Sequence, residues 1–528
     1  MKRKKYLLEK ILVTGYAAEG KSLARQDGKV IFIEGAVPGD VVDVFVSTNK
    51  KDYGEGKATH FHEYSKERTT PFCQHFGICG GCKWQMLPYQ KQLEYKQQEV
   101  IQNFRRIGKV ELPEMMPILG SVNTIHYRNK LEFTFSNKEY RILAPTREAL
   151  PPPKGKATLP SEGEFSDPAN SNDFSISEIS ESSFLPTGKE SEDLVPAMLN
   201  DLSKIALFLN PPLGGGGALG FHVPRIFDKI IDIQECFLMD DVNNRIRNSI
   251  RSFALENNYS YYDIKLHTGW LRNIIVRYCT TGELMVNICL GYEDVAETKR
   301  LLDFLMQQVP SITTLLYTIN TKWNDTIYDL TPCVYHGKGF VIEKLEEFSF
   351  KIGPKSFFQT NTKQAEKLYT IVRDFAELSG NEIVYDLYCG TGSIGIFVSK
   401  LAKKIIGVEV IAEAIEDARV NAAINRIEHA EFFAGDVTRI CNDAFFADHG
   451  RPDVIITDPP RAGMHEKLLN KLLEIAAPEI VYVSCNTATQ ARDIGLLSGK
   501  YRVEKIQPLD MFPHTHHIEC VVLLKLKQ

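Results

Sequence analysis

A chain of 528 residues is too long for one hydrophobic core and, at roughly 150 residues per domain, should hold three or four. Its 43% hydrophobic residues are ample for such cores, while a net charge of -5 excludes a globally basic, polyanion-wrapping protein; any nucleic-acid partner must meet a local basic patch. No apolar run reaches the roughly 18 residues of a membrane span and no signal-peptide core follows Met1, so the chain reads as cytoplasmic and its 11 cysteines are not expected to form structural disulfides.

Lys2-Arg3-Lys4-Lys5 is a basic patch or simply a solvated end. Residues 9–62 alternate apolar and polar over short runs. Lys29–Glu34 and Val41–Val46 flank Val37-Pro-Gly-Asp40, a hairpin-like signal. A small OB-like β-barrel is predicted over 1–62, either a nucleic-acid platform or a packing module. In the next region, 63–110, Cys73, Cys79 and Cys82 sit in a loop with Gly77, Gly80 and Gly81. Thiols at that density in a reducing compartment point to zinc or an iron–sulfur cluster. The fourth ligand is then Cys236, which follows a strand-like run, or His75, which would favour zinc; unliganded thiols are the alternative.

Within the central region, 111–350, the stretch 143–217 changes composition to Pro, Ser, Glu and Gly without amphipathic periodicity. It is expected to be a disordered surface insertion with at most one helix, near Leu194–Leu209. Strand and helix patterns resume from Phe221 as a mixed α+β region. From Glu382 the alternation is regular, with strands ending near Asp386, Val410, Asp436, Asp458 and Cys485. This is the pattern of a doubly wound parallel sheet, closed by two β-rich runs, Tyr501–Ile506 and Ile518–Leu526.

Gly390-x-Gly392-x-x-Gly395 follows one predicted strand, and Glu409 ends the next, where a carboxylate can hold ribose hydroxyls. Alone, the fingerprint fits a dinucleotide equally well. Asp386 at a strand end suits the ammonium of a methionine tail, and Asp458-Pro-Pro-Arg461 resembles the acidic turn that many methyltransferases place beside the reacting methyl. Asp436 is placed for the adenine or serves the fold. Cys485, at the carboxyl end of a predicted strand, and Glu519 supply a thiol and a carboxylate. A pyrimidine C5 is too weak a nucleophile for a methyl sulfonium until a thiolate adds to C6, and a base must then remove the C5 proton. Because a free thiol is only a few per cent ionised at neutral pH, the site is expected to help Cys485 ionise.

Together these residues resemble the RNA uracil-C5 methyltransferases that make 5-methyluridine, especially the branch acting on 23S ribosomal RNA. Tyr127-Arg-Asn-Lys130, Gly220-Phe-His222 and Ser356-Phe-Phe-Gln-Thr-Asn361 are similar to further motifs of that family. The resemblance implies a class I Rossmann-like S-adenosylmethionine-dependent methyltransferase domain over 351–528, a TRAM domain at the N-terminus and a central RNA-binding domain. It implies a [4Fe-4S] cluster on Cys73, Cys79, Cys82 and Cys236. S-adenosylmethionine would be bound by Gln359, Tyr388, Glu409, Asp436 and Asp458, with Cys485 as nucleophile and Glu519 as base. A cytoplasmic monomer with an RNA partner and no membrane is expected. The departures are the insertion after Tyr140 and Tyr388, where several relatives have Phe. Alternatives are a tRNA uracil-C5 enzyme, an RNA cytosine-C5 enzyme, and a non-catalytic RNA-binding iron–sulfur protein. The cytosine enzymes typically carry a Pro-Cys motif where this chain has Pro-Pro-Arg.

Overall fold

Six strands, Tyr6–Leu12, Gly15–Tyr16, Ser22–Gln26, Lys29–Glu34, Val41–Asn49 and Tyr53–Glu63, form one N-terminal sheet in the computed structural model, which describes residues 5–140, 217–224 and 226–528. Their alternating residues Val42, Val44 and Val46 are buried together with Ile31 and Ile33. The expected hairpin across Val37-Pro-Gly-Asp40 does not form. Tyr53–Glu63 inserts between the two strands, running parallel to Lys29–Glu34 and antiparallel to Val41–Asn49. The turn is instead tied to the segment beyond the sheet. Asp40, fully buried, accepts from Val37 N and Ser65 N and pairs with Arg68 at 2.7 Å.

After the cysteine loop, helix Tyr89–Asn103 leads into an extended segment whose residues Met116 and Leu119 bond to Ile506 and Pro508, covering an edge strand of the C-terminal sheet. The central sheet has seven strands, in the order Cys333–His336, Thr314–Ile319, Leu284–Leu290, Leu271–Tyr278, Lys130–Ser136, Ala218–Val223, Ile226–Asp232. Leu271–Tyr278 and Leu284–Leu290 are buried along nearly their whole length, as expected of strands at a sheet's centre. Helices Val242–Glu256 and Val295–Gln308 bury apolar faces in the same core. The predicted insertion at 143–217 and the basic N-terminus lie almost wholly outside the described residues. Its two flanks pair directly: Thr134, Phe135 and Ser136 face Gly220, Leu219 and Ala218.

The C-terminal sheet runs Ala430–Ala434, Lys404–Glu409, Ile383–Leu387, Val454–Thr457, Glu479–Ser484, Glu519–Leu526, Tyr501–Leu509. The first five are parallel; Glu519–Leu526 is antiparallel to both its neighbours. This is the predicted Rossmann-like methyltransferase architecture, and it brings the carboxyl ends of the parallel strands together with the beginning of Glu519–Leu526. Among the described residues no helix is long and apolar enough to cross a membrane.

Because the strands flanking the insertion are hydrogen-bonded neighbours, replacing residues 146–214 with a short Gly/Ser linker should leave the melting temperature within a few degrees of wild type. Each doubling of loop length costs only about 0.6 kcal/mol. Loss of the cooperative transition would show instead that the segment is part of the core.

Candidate active site

The strand register brings the two predicted reactive residues together. Ser484 pairs with Cys520 in the antiparallel ladder, so the next position on each strand sets Cys485 opposite Glu519, where side chains share a face. Thr457 pairs with Tyr482, which places Asp458 one step further, at the same end of the sheet. Cys485 is half-buried and Glu519 buried. Burial holds the Glu519 carboxyl well above its ordinary range, Asp458 raises it further, and Arg461 opposes both. Asp458 is pushed up to about 7 by burial.

The expectation that the site ionises its thiol is corrected here. Cys485 is pushed up to about 11, first by burial and then by the negative charges of Glu519 and Asp458; Arg461, which also hydrogen-bonds the thiol, opposes them. Arg461 stood in the Asp458-Pro-Pro-Arg461 turn without an assigned role. Its carbonyl receives Asn486 Nδ2 at 3.0 Å and Thr489 Oγ1 at 3.2 Å, so the turn is bolted to the helix that follows Cys485.

The glycine turn adjoins this pair. Asp386 Oδ2 accepts from Gly395 N at 2.8 Å, an approach that a Cβ on Gly395 would obstruct at 3.0 Å. Asp386 Oδ1 is buried without a partner, and burial raises the carboxyl to about 7. An orphaned buried acceptor among the carboxylates of Asp386, Asp458 and Glu409 suits a cationic ligand. Glu409 accepts from Ile411 N at 3.0 Å and Gly390 N at 3.3 Å, joining its strand end to the turn. Nothing lies within 4 Å of where a Gly390 Cβ would stand, leaving room in front of the turn. Tyr388 adopts a left-handed φ of 62°, unusual for a side chain this large, and its hydroxyl is raised by burial and then by Asp436 and Glu409. Asp436 is exposed and caps the short helix Val437–Ile440 through Thr438 N at 2.8 Å, so one oxygen serves the fold. Gln359 is placed by Asn129, whose side chain donates to Gln359 O at 2.9 Å and Thr362 Oγ1 at 2.8 Å. Tyr127-Arg-Asn-Lys130 thus packs on the segment that carries Gln359.

The loop preceding Glu519 is anchored by residues that periodicity alone hides. Lys96 and Asp510, both fully buried, form an ion pair at 2.6 Å; Tyr89 OH donates to the other Asp510 oxygen at 2.8 Å. Gln92, from the same helix, receives His514 N at 2.9 Å and donates to the carbonyls of Trp84 and Leu87 at 3.0 Å. Lys83 N and Trp84 N both donate to His514 O, at 2.8 and 3.0 Å. Tyr127 OH reaches Pro513 O at 3.0 Å, and Asn361 Nδ2 reaches Met511 O at 2.9 Å.

Cys73, Cys79, Cys82 and Cys236 line a single apolar pocket, joined by His75. Cys236 is delivered by Arg247 and Arg251, largely buried arginines that bond the backbone of Ile233 at 2.8 and 2.6 Å, while Asn244 Oδ1 accepts from Cys236 N at 2.9 Å. Burial pushes Cys79 and Cys82 up to about 12, and Cys236 and Cys73 raise both further. His75 Nδ1 is buried and unpartnered. Among the described residues no group of three or more His, Cys, Asp or Glu side chains is close enough to hold a metal ion. Four thiols and an unpartnered imidazole nitrogen on one pocket are the donor types that zinc or an iron–sulfur cluster takes.

A Rossmann-like sheet with an acidic cofactor turn and a Cys–Glu pair across its last parallel strand defines a methyltransferase. Residues 336–527 match the family described as tRNA (Uracil-5-)-methyltransferase. An uncharacterized RNA methyltransferase of Bacteroides thetaiotaomicron is 48% identical over 97% of this chain and 100% of its own length. One from Porphyromonas gingivalis is 44% identical over 97% and 98%. The crystal structure of Pyrococcus abyssi tRNA (uracil-54, C5)-methyltransferase in complex with S-adenosyl-L-homocysteine superposes with a TM-score of 0.66 at 24% identity, covering 98% of this chain and 100% of that one, and is alike in fold. The chain belongs to the RNA methyltransferase family of these relatives.

Lys96→Met should strand Asp510 as a buried unpaired charge and cost about 3–5 kcal/mol, read by denaturant unfolding. Lys96→Met with Asp510→Asn should recover most of that loss, and equal stability of the single variant and wild type would contradict the anchor. Alkylation of Cys485 in the free protein, followed by peptide mass mapping, should accelerate about tenfold per pH unit from pH 7 to 9, because only the thiolate reacts and the thiol titrates near 11. Arg461→Gln should slow it throughout that window; a plateau already reached at pH 7 would show an ionised thiol.

Proposed function

We propose that the protein methylates C5 of a uridine in RNA, taking the methyl from S-adenosylmethionine, and that its target lies in 23S ribosomal RNA. The observation that carries this reading is the ladder register that sets Cys485 beside Glu519, next to Asp458. The bound cofactor supplies an electrophilic methyl group. Asp386, with its unpartnered oxygen, and Gln359 would hold its methionine end, Glu409 and Tyr388 its ribose and adenine, Asp436 the adenine edge, and Asp458 the region of the transferring methyl.

Cys485 adds through Sγ to C6 of the flipped uracil, its proton passing to a neighbouring carboxylate. The C5–C6 double bond becomes an enolate whose C5 takes the methyl. Glu519 then removes the C5 proton, the electron pair re-forms C5–C6, and the thiolate leaves. A carboxyl raised well above its ordinary range is a stronger base than a surface glutamate, which suits it to a carbon acid. Taking the uridine out of a helix costs a few kcal/mol, so a loop is the favoured substrate.

The pocket of Cys73, Cys79, Cys82 and Cys236 is read as a [4Fe-4S] site, and the N-terminal sheet as a TRAM-like RNA platform. The protein is read as a cytoplasmic monomer. A tRNA uridine is the competing target, because the matched family model and the Pyrococcus structure both name tRNA. Mapping 5-methyluridine in both RNAs of a deletion strain decides between them.

Glu519→Gln should methylate C5 and stall, leaving a gel-stable protein–RNA adduct that disappears when Cys485→Ala is added. Normal product release by Glu519→Gln would remove it from the base role. Purified without oxygen, the protein should carry about four irons per chain, and Cys236→Ser should lose them as fully as Cys79→Ser. One equivalent of zinc with no iron would contradict the cluster.

A further inference from the structure

The loop 320–330 joins two strands at one edge of the central sheet, Thr314–Ile319 and Cys333–His336. Its framework is elaborate for a connection of that length. Arg272, 1% exposed, spends its guanidinium on the loop: Nη1 donates to the carbonyls of Asn320 and Lys322, both at 2.6 Å, and Nη2 to Asn324 O at 3.0 Å and Asp325 Oδ1 at 2.7 Å. The same guanidinium lies 3.9 Å over the ring of Tyr262. Asn320 closes the turn from within, donating to Asn324 O at 2.9 Å and accepting from Lys322 N at 3.1 Å. Burying a guanidinium is unfavourable unless its donors are satisfied, and here both terminal nitrogens are used to fix three carbonyls and one carboxylate of the loop, while Nε is left without a partner.

What this frame presents outward is Trp323, 76% exposed, whereas the chain's other two tryptophans, Trp84 and Trp270, are 1% and 3% exposed. One face of its indole is covered by His267, stacked at 4.7 Å and 6° from parallel, and most of the remaining side chain faces solvent. His267 is itself fixed, with a left-handed φ of 56° and its N–H on Asp263 O at 2.8 Å. Further along the loop Tyr328 is 70% exposed. Lys355 Nζ grips the carbonyls of Tyr328 at 3.0 Å and Leu330 at 3.2 Å, tying the loop to the segment that carries Gln359. The loop's acids are neutralised, Asp325 by Arg272 and Asp329 by Lys322.

We propose that Trp323, backed by His267 and continued by Tyr328, is a stacking platform for unpaired bases of the substrate RNA that flank the uridine entering the active site. The proposal rests on the RNA reading above and adds where the strand lies. A uridine can be extruded only from locally opened RNA, and its neighbours then lose their stacking partners. A rigid, solvent-facing aromatic replaces that stacking whatever the base, and Lys355 adds a cation beside Tyr328, four residues before Gln359.

Trp323 is its own reporter, because the other two indoles are shielded. The anaerobically purified full-length protein is titrated with a single-stranded oligouridylate of roughly ten nucleotides, within the span such sites cover. Its exposed, red-shifted emission should be quenched on binding. Trp323→Ala should bind this RNA about five- to a hundredfold more weakly and raise KM for a ribosomal RNA fragment while kcat at saturating RNA stays unchanged. Trp323→Phe should retain most of the affinity, which loss of a merely structural contact would not predict. Unquenched emission at saturating RNA, or wild-type affinity in Trp323→Ala, with methyl transfer intact in both proteins, overturns the platform and leaves the RNA reading standing. If the wild-type protein methylates neither ribosomal RNA nor tRNA, the RNA reading falls and the platform with it.

Discussion

The ion pair between Lys96 and Asp510 is the interaction on which the rest of the molecule leans. Both side chains are removed from solvent, so neither charge is stable without the other, and the pair exists only when the N-terminal helix is docked on the loop before Glu519. Three further elements end on that loop: the backbone just past the cysteine loop, through Lys83 and Trp84; the segment leading into the central sheet, through Tyr127; and the helix after Gln359, through Asn361. A buried charge pair specifies geometry better than an apolar contact of equal size, since a displaced partner is heavily penalised. The cysteine pocket and the Cys485–Glu519 pair are therefore mechanically joined although they lie far apart in sequence.

The site itself is an acidic pocket. Asp386, Asp458, Glu409 and Glu519 crowd the ends of adjacent strands, and Arg461 is the cation that opposes them at the thiol. Such a pocket is unfavourable when empty and receptive to a sulfonium and an ammonium. It also explains why Cys485 rests as a thiol: an ionised cysteine would face the negative charges of Glu519 and Asp458.

Much of this was legible in the chain. Strands of the C-terminal sheet could be read because apolar runs end in acids or cysteine at regular spacing, and the residues at those ends, Asp386, Asp458 and Cys485, lie at one end of the sheet. Register was not legible. That Cys485 faces Glu519 depends on a strand inserted antiparallel between two others, a tertiary choice. The N-terminal hairpin failed for the same reason, since pairing there is decided by a later strand, Tyr53–Glu63. Lys96, Arg247 and Arg272 escaped notice because a charged residue normally marks a solvent face. Only their positions on otherwise buried helix and strand faces distinguish them. Cys236, singled out by the strand-like run before it, lines one pocket with Cys73, Cys79 and Cys82, although nothing local could indicate the arginines that deliver it.

The central claim is that methylation occurs at C5 by exchange of its hydrogen. The most direct test follows ribosomal RNA labelled with tritium at uracil C5 through turnover with the wild-type protein. The account predicts one tritium released to water for each methyl incorporated, and no release by Cys485→Ala. Methyl incorporation without tritium release would place the methyl on another atom and contradict it.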